Sequence, residues 1–429
     1  MKRLKHLDLL LYFWWIVFFI SVICCFRAIS SITIGLVLAT GLLKNKINTG
    51  SWLNRRLKNG FTAACCLFYL IQVLLLLYSD NLTESAKYLQ TKSAMIFVPL
   101  ALCCSSYLSG PVRQKLMKYY IWTLAAVLFY CLLLALYRYF FTGAQNDVFF
   151  YHELVSPFKQ HAVQISILLF AGLVYLLEQA RKAVYFYNRL FHFLLIFYFT
   201  GCMLLLSSKL VISFSAGCLV YYFFLFLKTK KNTRFITLTS LFACLLLIIL
   251  VLSTQNKISK RFNEIVSGDM SLVQQQDFNP GIYFNGLQFR LLQWRFVKEI
   301  LTEHHAWLTG VSDDAQTLLD KKYISTHMYT GDGTTAHRGY LGYNTHDGFL
   351  ESLLQSGIPG LVSFILICYA MMHLAIRRQN RELTIMVILL IAYCFNEAVL
   401  ETQYGGTLFT LFPLFLYYGT EAYSDSGPL

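Results

Sequence analysis

The sequence predicts an all-α polytopic membrane protein of about twelve spanning helices, with one large, partly helical loop on its outer face. Three observations point there. Of the 429 residues 57% are hydrophobic and only 14% charged, and the mean hydropathy is +0.54, whereas a soluble domain carries about a quarter charged residues. Apolar runs of spanning length recur along the chain. The basic residues alternate between successive connections, as bilayer insertion requires. Length alone would suggest two or three soluble domains, but the hydropathy overrides it. The chain reads as a single membrane domain over 1–429, with 253–346 as a loop within it.

A span needs roughly 17–25 mostly apolar residues. Twelve stretches qualify, at about 8–26, 28–43, 61–78, 93–108, 118–141, 160–177, 190–206, 210–227, 235–252, 358–376, 383–399 and 406–422. The second and fourth are short enough to be tilted or partly re-entrant. The start, Met1-Lys2-Arg3-Leu4-Lys5 and then an apolar run to Phe26, has the flavour of a signal peptide. The run is too long for one and no small-x-small cleavage site follows, so it reads as a retained first span.

Orientation follows from the 36 Lys and Arg. On one side lie 21 of them, from Lys2, Arg3 and Lys5 to Arg377, Arg378 and Arg381. The opposite short connections and span ends hold six: Arg27, Lys87, Lys92, Arg138, Lys159 and Lys209. The other nine are in the long loop. This split places both termini in the cytoplasm and 253–346 outside. It also accounts for the net charge of +14 without a nucleic-acid partner.

The 12 cysteines include three adjacent pairs, all fall in apolar runs, and residues 253–346 contain none. Free Cys behaves as a small apolar residue, and neither a disulfide framework nor a zinc spacing is present. The long loop must hold together by packing, and its helical pattern and aromatic content predict that it is ordered.

Charged residues on the outer side are few, so each is informative. YHELVSPFKQHAVQIS puts His161 at the start of span six, and LLLSSKLVIS leaves Lys209 at the surface. In the loop, FNGLQFRLLQWRFVKEILTE has helical periodicity, with an apolar stripe of Leu287, Leu291, Trp294, Val297 and Leu301. That helix is expected in the interface, with Arg290 and Arg295 reaching towards headgroups. GYNTHDGFLESLLQSGIPGL then carries His346, Asp347 and Glu351 into span ten. Taken singly, each has a plain reading: the arginines as anchors, Lys209 as a snorkelling side chain, the histidines as caps, Asp347 as an acid in a first helical turn. Together, three basic groups and two histidines on segments that can converge suit an anionic lipid diphosphate. Arg binds phosphate oxygens bidentately, Lys acts as a point charge, and His handles a proton near neutral pH. Asp313–Asp314 and the Gly331-Asp332-Gly333 turn make no carboxylate cluster for a divalent ion, so no metal and no cofactor is expected.

THDGFLESLLQSGIPGL resembles the His-Asn-x-aromatic-Leu…Gly-Ile-x-Gly-Leu segment of O-antigen ligase and polymerase-type membrane proteins. His346 falls on that family's His, and Asp347 stands where Asn is usual. Arg290-Leu-Leu-Gln-Trp294 followed by Trp307-Leu-Thr-Gly310-Val311 is similar to its Arg-x-x-x-Trp…Gly-x-Gly stretch, with Ser312 at the second Gly. LSSKLV resembles its Ser-Arg segment with Lys209 for Arg, and KQHAVQIS its His-Pro-x-Tyr-x-Ser entry without the Pro and Tyr. The resemblance implies a GT-C-like glycosyltransferase architecture in the bacterial inner membrane, with a periplasmic loop. A polyprenyl-diphosphate-linked glycan would be the donor, and transfer would be inverting and metal-independent. It implies catalytic roles for His346 and Arg290, and lipid-diphosphate contacts from Lys209, Arg295 and His161. Ligation to lipid A–core is the first choice of acceptor; a growing glycan chain and a protein hydroxyl remain open. A transporter or flippase is the alternative of a different class, although few charges lie mid-span.

Overall fold

The computed structural model describes residues 2–52, 54–75, 82–105, 108, 110–183, 185–228, 231–253, 269–330 and 338–418. Every regular element among the described residues is helical. The α-helices are α1 (Lys2–Ile23), α2 (Arg27–Thr49), α3 (Gly60–Leu75), α4 (Leu82–Lys92), α5 (Ala94–Cys104), α6 (Gly110–Phe141), α7 (Tyr151–Val155), α8 (Ala162–Lys182), α9 (Phe186–Leu206), α10 (Lys209–Leu227), α11 (Lys231–Ser253), α12 (Gly286–Glu303), α13 (Ala315–Ser325), α14 (Gly348–Arg378), α15 (Arg381–Cys394) and α16 (Gln403–Tyr418).

Each of the twelve apolar stretches holds a helix. Among the described residues seven helices are long and apolar enough to cross a membrane: Leu4–Ile23, Arg27–Thr49, Gly110–Phe141, Ala162–Lys182, Tyr187–Leu206, Lys209–Leu227 and Gly348–Arg378. Gly60–Leu75 and Leu238–Val251 are apolar but shorter. The 11 residues of α5 reach only about 16 Å at 1.5 Å per residue. Helix length thus supports a multi-pass protein, while a count of twelve crossings has to rest on where the helix ends lie.

Those ends gather at two faces. At one, Gln160 just ahead of α8 donates to the Ile23 carbonyl at the end of α1, at 2.6 Å. Arg138, near the end of α6, pairs there with Glu153 at 3.0 Å. At the other face Arg56, between α2 and α3, donates to the Ser105 carbonyl after α5 at 2.9 Å, and the Tyr418 hydroxyl at the end of α16 donates to the Arg56 carbonyl at 2.8 Å. Arg113 of α6 and Glu382 of α15 form a buried pair at 2.9 Å. The central helix is α8, with 83% of its apolar window buried, against 33–50% for the other six. Gly172 permits this: a Cβ there would lie 2.7 Å from Phe199 Cε2 of α9, so only glycine lets the two helices approach so closely.

The long loop builds a second core of its own. Phe278, Phe284, Leu292, Phe296, Ile300, Leu319 and Tyr323 pack with Leu350 and Leu354 of α14. The described part is therefore an ordered cap seated on the membrane helices; 254–268 and 331–337, including the Gly331-Asp332-Gly333 turn, lie outside the described residues. The cap docks through backbone. Val311 N–H donates to the Leu354 carbonyl at 2.8 Å and Ile358 N–H to the Trp307 carbonyl at 2.9 Å. Gly310 (φ 70°) and Gly357 (φ 61°) meet here, and a Cβ at Gly310 would lie 2.4 Å from the Gln355 carbonyl carbon. The positive φ at Gly357 also kinks α14.

The apolar stripe read from α12 needs correction. Asn285 and Gln288 form a capping box that starts the helix. The face turned into the cap is Phe289, Leu292, Phe296 and Ile300, joined by Val297 and Leu301. Leu287, Leu291 and Trp294 stay exposed. Apolar residues run almost all round this helix, so periodicity alone could not say which side a core of its own would claim.

Candidate active site

Where the cap meets the membrane helices, α14 begins. Asp347 is its N-cap: one carboxylate oxygen accepts from Phe349 N–H at 2.8 Å and from Leu350 N–H at 3.1 Å. Both bonds go to a single oxygen, which an Asn carbonyl would supply equally well. Asp in place of the usual Asn therefore leaves the cap intact. Burial pushes the Asp347 carboxyl above its ordinary value, against the two N–H groups and Arg290. Ahead of it, buried Thr345 donates its hydroxyl to Glu351 at 2.7 Å and its N–H to the same oxygen at 3.1 Å. The chain is thus clamped on both sides of His346.

His346 is not the cap. It sits one residue outside the helix with φ 49°, a left-handed conformation that costs a non-glycine residue energy and marks an over-determined position. Its N–H donates to Asn344 Oδ1 at 3.0 Å. The ring is held edge-on against Phe289 and Tyr343, with centroids at 5.7 and 5.6 Å. Its Nδ1 faces Glu397 Oε2 at 3.2 Å, and both side chains keep some exposure, 32% and 26%.

Glu397 lies beyond the last turn of α15, outside the spanning helix. Burial alone would raise its carboxyl. The hydrogen bond with His346 and the electrostatic influence of the neighbouring His346, His161 and Arg290 side chains outweigh burial and hold it below the usual carboxylate range. Three of the residues picked from the sequence therefore surround one carboxylate that was not picked.

Arg290 reaches in from α12. It donates to the Gly286 carbonyl and to the Asn396 carbonyl next to Glu397, both at 2.9 Å. Its buried Nε meets no acceptor among the described residues. Burial pulls its pKa down, opposed by Glu397 and Asp347. His161 is the N-cap residue of α8. Its ring contacts that of His152 at 4.4 Å, and its Nδ1 is buried without a partner among the described residues. Burial lowers its pKa, with Glu397 acting the other way, which favours a neutral imidazole. The other two expected residues are carried by α10 and α12. Lys209 opens α10 after Ser207, whose φ is 52°. Arg295 turns into the cap, bonding the carbonyls of Val273 at 2.8 Å and Gln275 at 2.6 Å and pairing with Glu299 at 3.4 Å.

Below the cluster runs a buried polar network that sequence reading passed over. Lys92 donates to Gln355 Oε1 at 2.6 Å and to Gln72 Oε1 at 3.3 Å. It lies 3.5 Å from Glu401 and 3.7 Å from the Tyr88 ring centroid. Tyr88 donates to Glu401 at 3.2 Å, and Gln355 donates to Glu351. Burial lifts the Glu401 carboxyl to about 7, against the pull of Lys92. Glu401 follows Glu397 by four residues, at the end of the short 3-10 turn Val399–Glu401, so this network braces the segment that carries the central carboxylate. Among the described residues there is no group of three or more His, Cys, Asp or Glu placed to hold a metal ion.

The arrangement has the parts of an acid–base site: a histidine backed by an ionised carboxylate, and beside it an arginine with a donor to spare. No curated protein matches the chain. A family comparison does: residues 193–365, from within α9 through the cap to the middle of α14, match the O-antigen ligase family, so this multi-pass membrane protein carries an O-antigen ligase-like domain that holds Lys209, Arg290, Arg295 and His346.

Proposed function

We propose that the protein is an inverting, metal-independent glycosyltransferase. It moves a glycan from a polyprenyl diphosphate to an acceptor hydroxyl at the outer face of the bacterial inner membrane, with ligation to lipid A–core as the first reading. The observation that carries this is the convergence of His346, Arg290 and His161 on Glu397 where the cap meets the membrane helices, within or beside a segment matching the O-antigen ligase family.

The geometry supports the following roles. Glu397 accepts from His346 Nδ1–H, which fixes the tautomer with the lone pair on Nε2. Nε2 takes the proton of the acceptor hydroxyl as its oxygen attacks the anomeric carbon. The bond from that carbon to the diphosphate oxygen breaks, and the electron pair leaves on the diphosphate. Arg290 meets that charge with its unused donor, and Lys209 and neutral His161 contribute to the same pocket. With cationic side chains on the leaving group, no divalent ion is needed. Arg295 holds α12 in place. Exposed Leu287, Leu291 and Trp294 rest on the outer leaflet beside Arg290. Both termini are cytoplasmic and all twelve apolar helices cross, in keeping with the 21-to-6 split of basic residues and with helix ends gathered at two faces.

Purified protein in liposomes with lipid-linked glycan and acceptor tests the reading. Release of free lipid diphosphate with glycan appearing on the acceptor is expected. Movement of intact lipid-linked glycan between leaflets without cleavage would mean a transporter instead.

A further inference from the structure

A second site lies at the opposite end of α8. That helix starts beside the His161–Glu397 cluster and ends with Arg181 and Lys182. Its 21 residues span about 32 Å at 1.5 Å per residue, close to the roughly 30 Å of a bilayer's hydrocarbon core. At this far end a cavity of about 460 Å³ opens between α6, α8 and α9.

The lining is two-faced. Lys118, Lys182, Gln179, Asn188 and His192 supply its polar part, and Trp122, Phe191 and Leu195 its apolar wall. Among the described residues no Asp or Glu lines it, and neither lysine is in an ion pair. Trp122 and Phe191 stack at 5.7 Å between centroids and are 57% and 42% exposed, so the wall opens outward. A small soluble anion would use the lysines but not the wall. A neutral lipid would use the wall but leave two ammonium groups unmatched. An amphiphile with an anionic head satisfies both halves.

We propose that this cavity binds an anionic phospholipid. Lys118 and Lys182 hold its phosphate and headgroup, and the acyl chains run over Trp122, Phe191 and Leu195. Both lysines belong to the basic set that marks the cytoplasmic side, so the lipid comes from the inner leaflet. It bridges the ends of three helices and fixes α9, on which the family-matched segment begins. The site is separate from the His346 cluster and does not depend on the reaction assigned there.

The test is native mass spectrometry of the full chain, delipidated in a neutral detergent and offered equimolar phosphatidylglycerol and phosphatidylcholine. Phosphatidylglycerol should be retained preferentially. Lys118→Gln and Lys182→Gln should each weaken it about fivefold, and the pair on the order of 30-fold, with phosphatidylcholine unchanged. Lys115→Gln, outside the lining, should change nothing, and Trp122→Ala should weaken both lipids. Equal retention of the two lipids would overturn the proposal, as would a double variant that binds like the wild type. So would displacement of the intact lipid by equimolar glycerol phosphate, or preference for a polyprenyl phosphate over phosphatidylglycerol.

Discussion

Arg290 and Arg295 give the sharpest separation of chemistry from architecture, because one helix carries both. Five residues apart, they point about 140° away from each other on a helix of 3.6 residues per turn. Arg290 bonds the Asn396 carbonyl beside Glu397, and Arg295 bonds the carbonyls of Val273 and Gln275 inside the cap. Arg290→Ala removes one charged donor from the developing diphosphate, about 3 kcal/mol of transition-state stabilisation or roughly 150-fold in rate. Arg290→Lys restores the charge without the fork and should recover only part of this. Arg295→Ala loses two hydrogen bonds of about 1 kcal/mol each at this half-exposed position, and a surface ion pair that adds little. Its cost of about 2 kcal/mol should therefore appear in stability. The assay pairs release of lipid diphosphate from proteoliposomes with melting followed by intrinsic fluorescence. Arg290→Ala should lose rate and keep its melting temperature, and Arg295→Ala should do the reverse. An inactive Arg295→Ala beside a near-normal Arg290→Ala would refute the assigned orientation of α12.

Three further outcomes follow. A reporter fused near Gln275 should read as periplasmic, and a cytoplasmic signal there would invert the topology. Transfer should survive EDTA, since arginine and lysine meet the leaving charge; complete loss restored by magnesium or manganese would refute this. Glu401 is raised to about 7, so between the ordinary Glu value of about 4.3 and about 7 the folded protein holds a proton that the unfolded chain releases. Stability should fall as pH rises through that window, and Glu401→Gln should flatten the fall. An equally steep profile in the variant would rule Glu401 out as its source.

Much of this was legible in the sequence because one-dimensional patterns carry it. Each apolar stretch holds a helix because spanning length and hydropathy leave the backbone no other way to satisfy its polar groups. The order of the loop could be read from its aromatics, several of which form the cap core. Arg290 and His346 stood out as rare outer-face charges. Glu397 did not, because its meaning depends on the end of α15 folding back against a histidine 51 residues earlier. Lys92 and Glu401 were hidden in the same way: they are far apart in sequence, and each taken alone resembles an ordinary span-end charge. The exposed side of α12 was read wrongly in part, since a helix apolar on most sides takes its orientation from its partners. His346 left of φ 0 or right of it is likewise invisible in sequence; the clamp of Thr345, Asp347 and Glu351 sets it.

The most direct measurement is the transfer rate of His346→Asn. Asparagine tolerates the left-handed backbone, and Asp347, which caps α14, is untouched, so the variant should insert and melt as the wild type does. The rate should fall by about 10²–10⁴, the usual cost of losing a general base. Retention of more than about a tenth of the wild-type rate, outside that range, would contradict a role for His346 as the base.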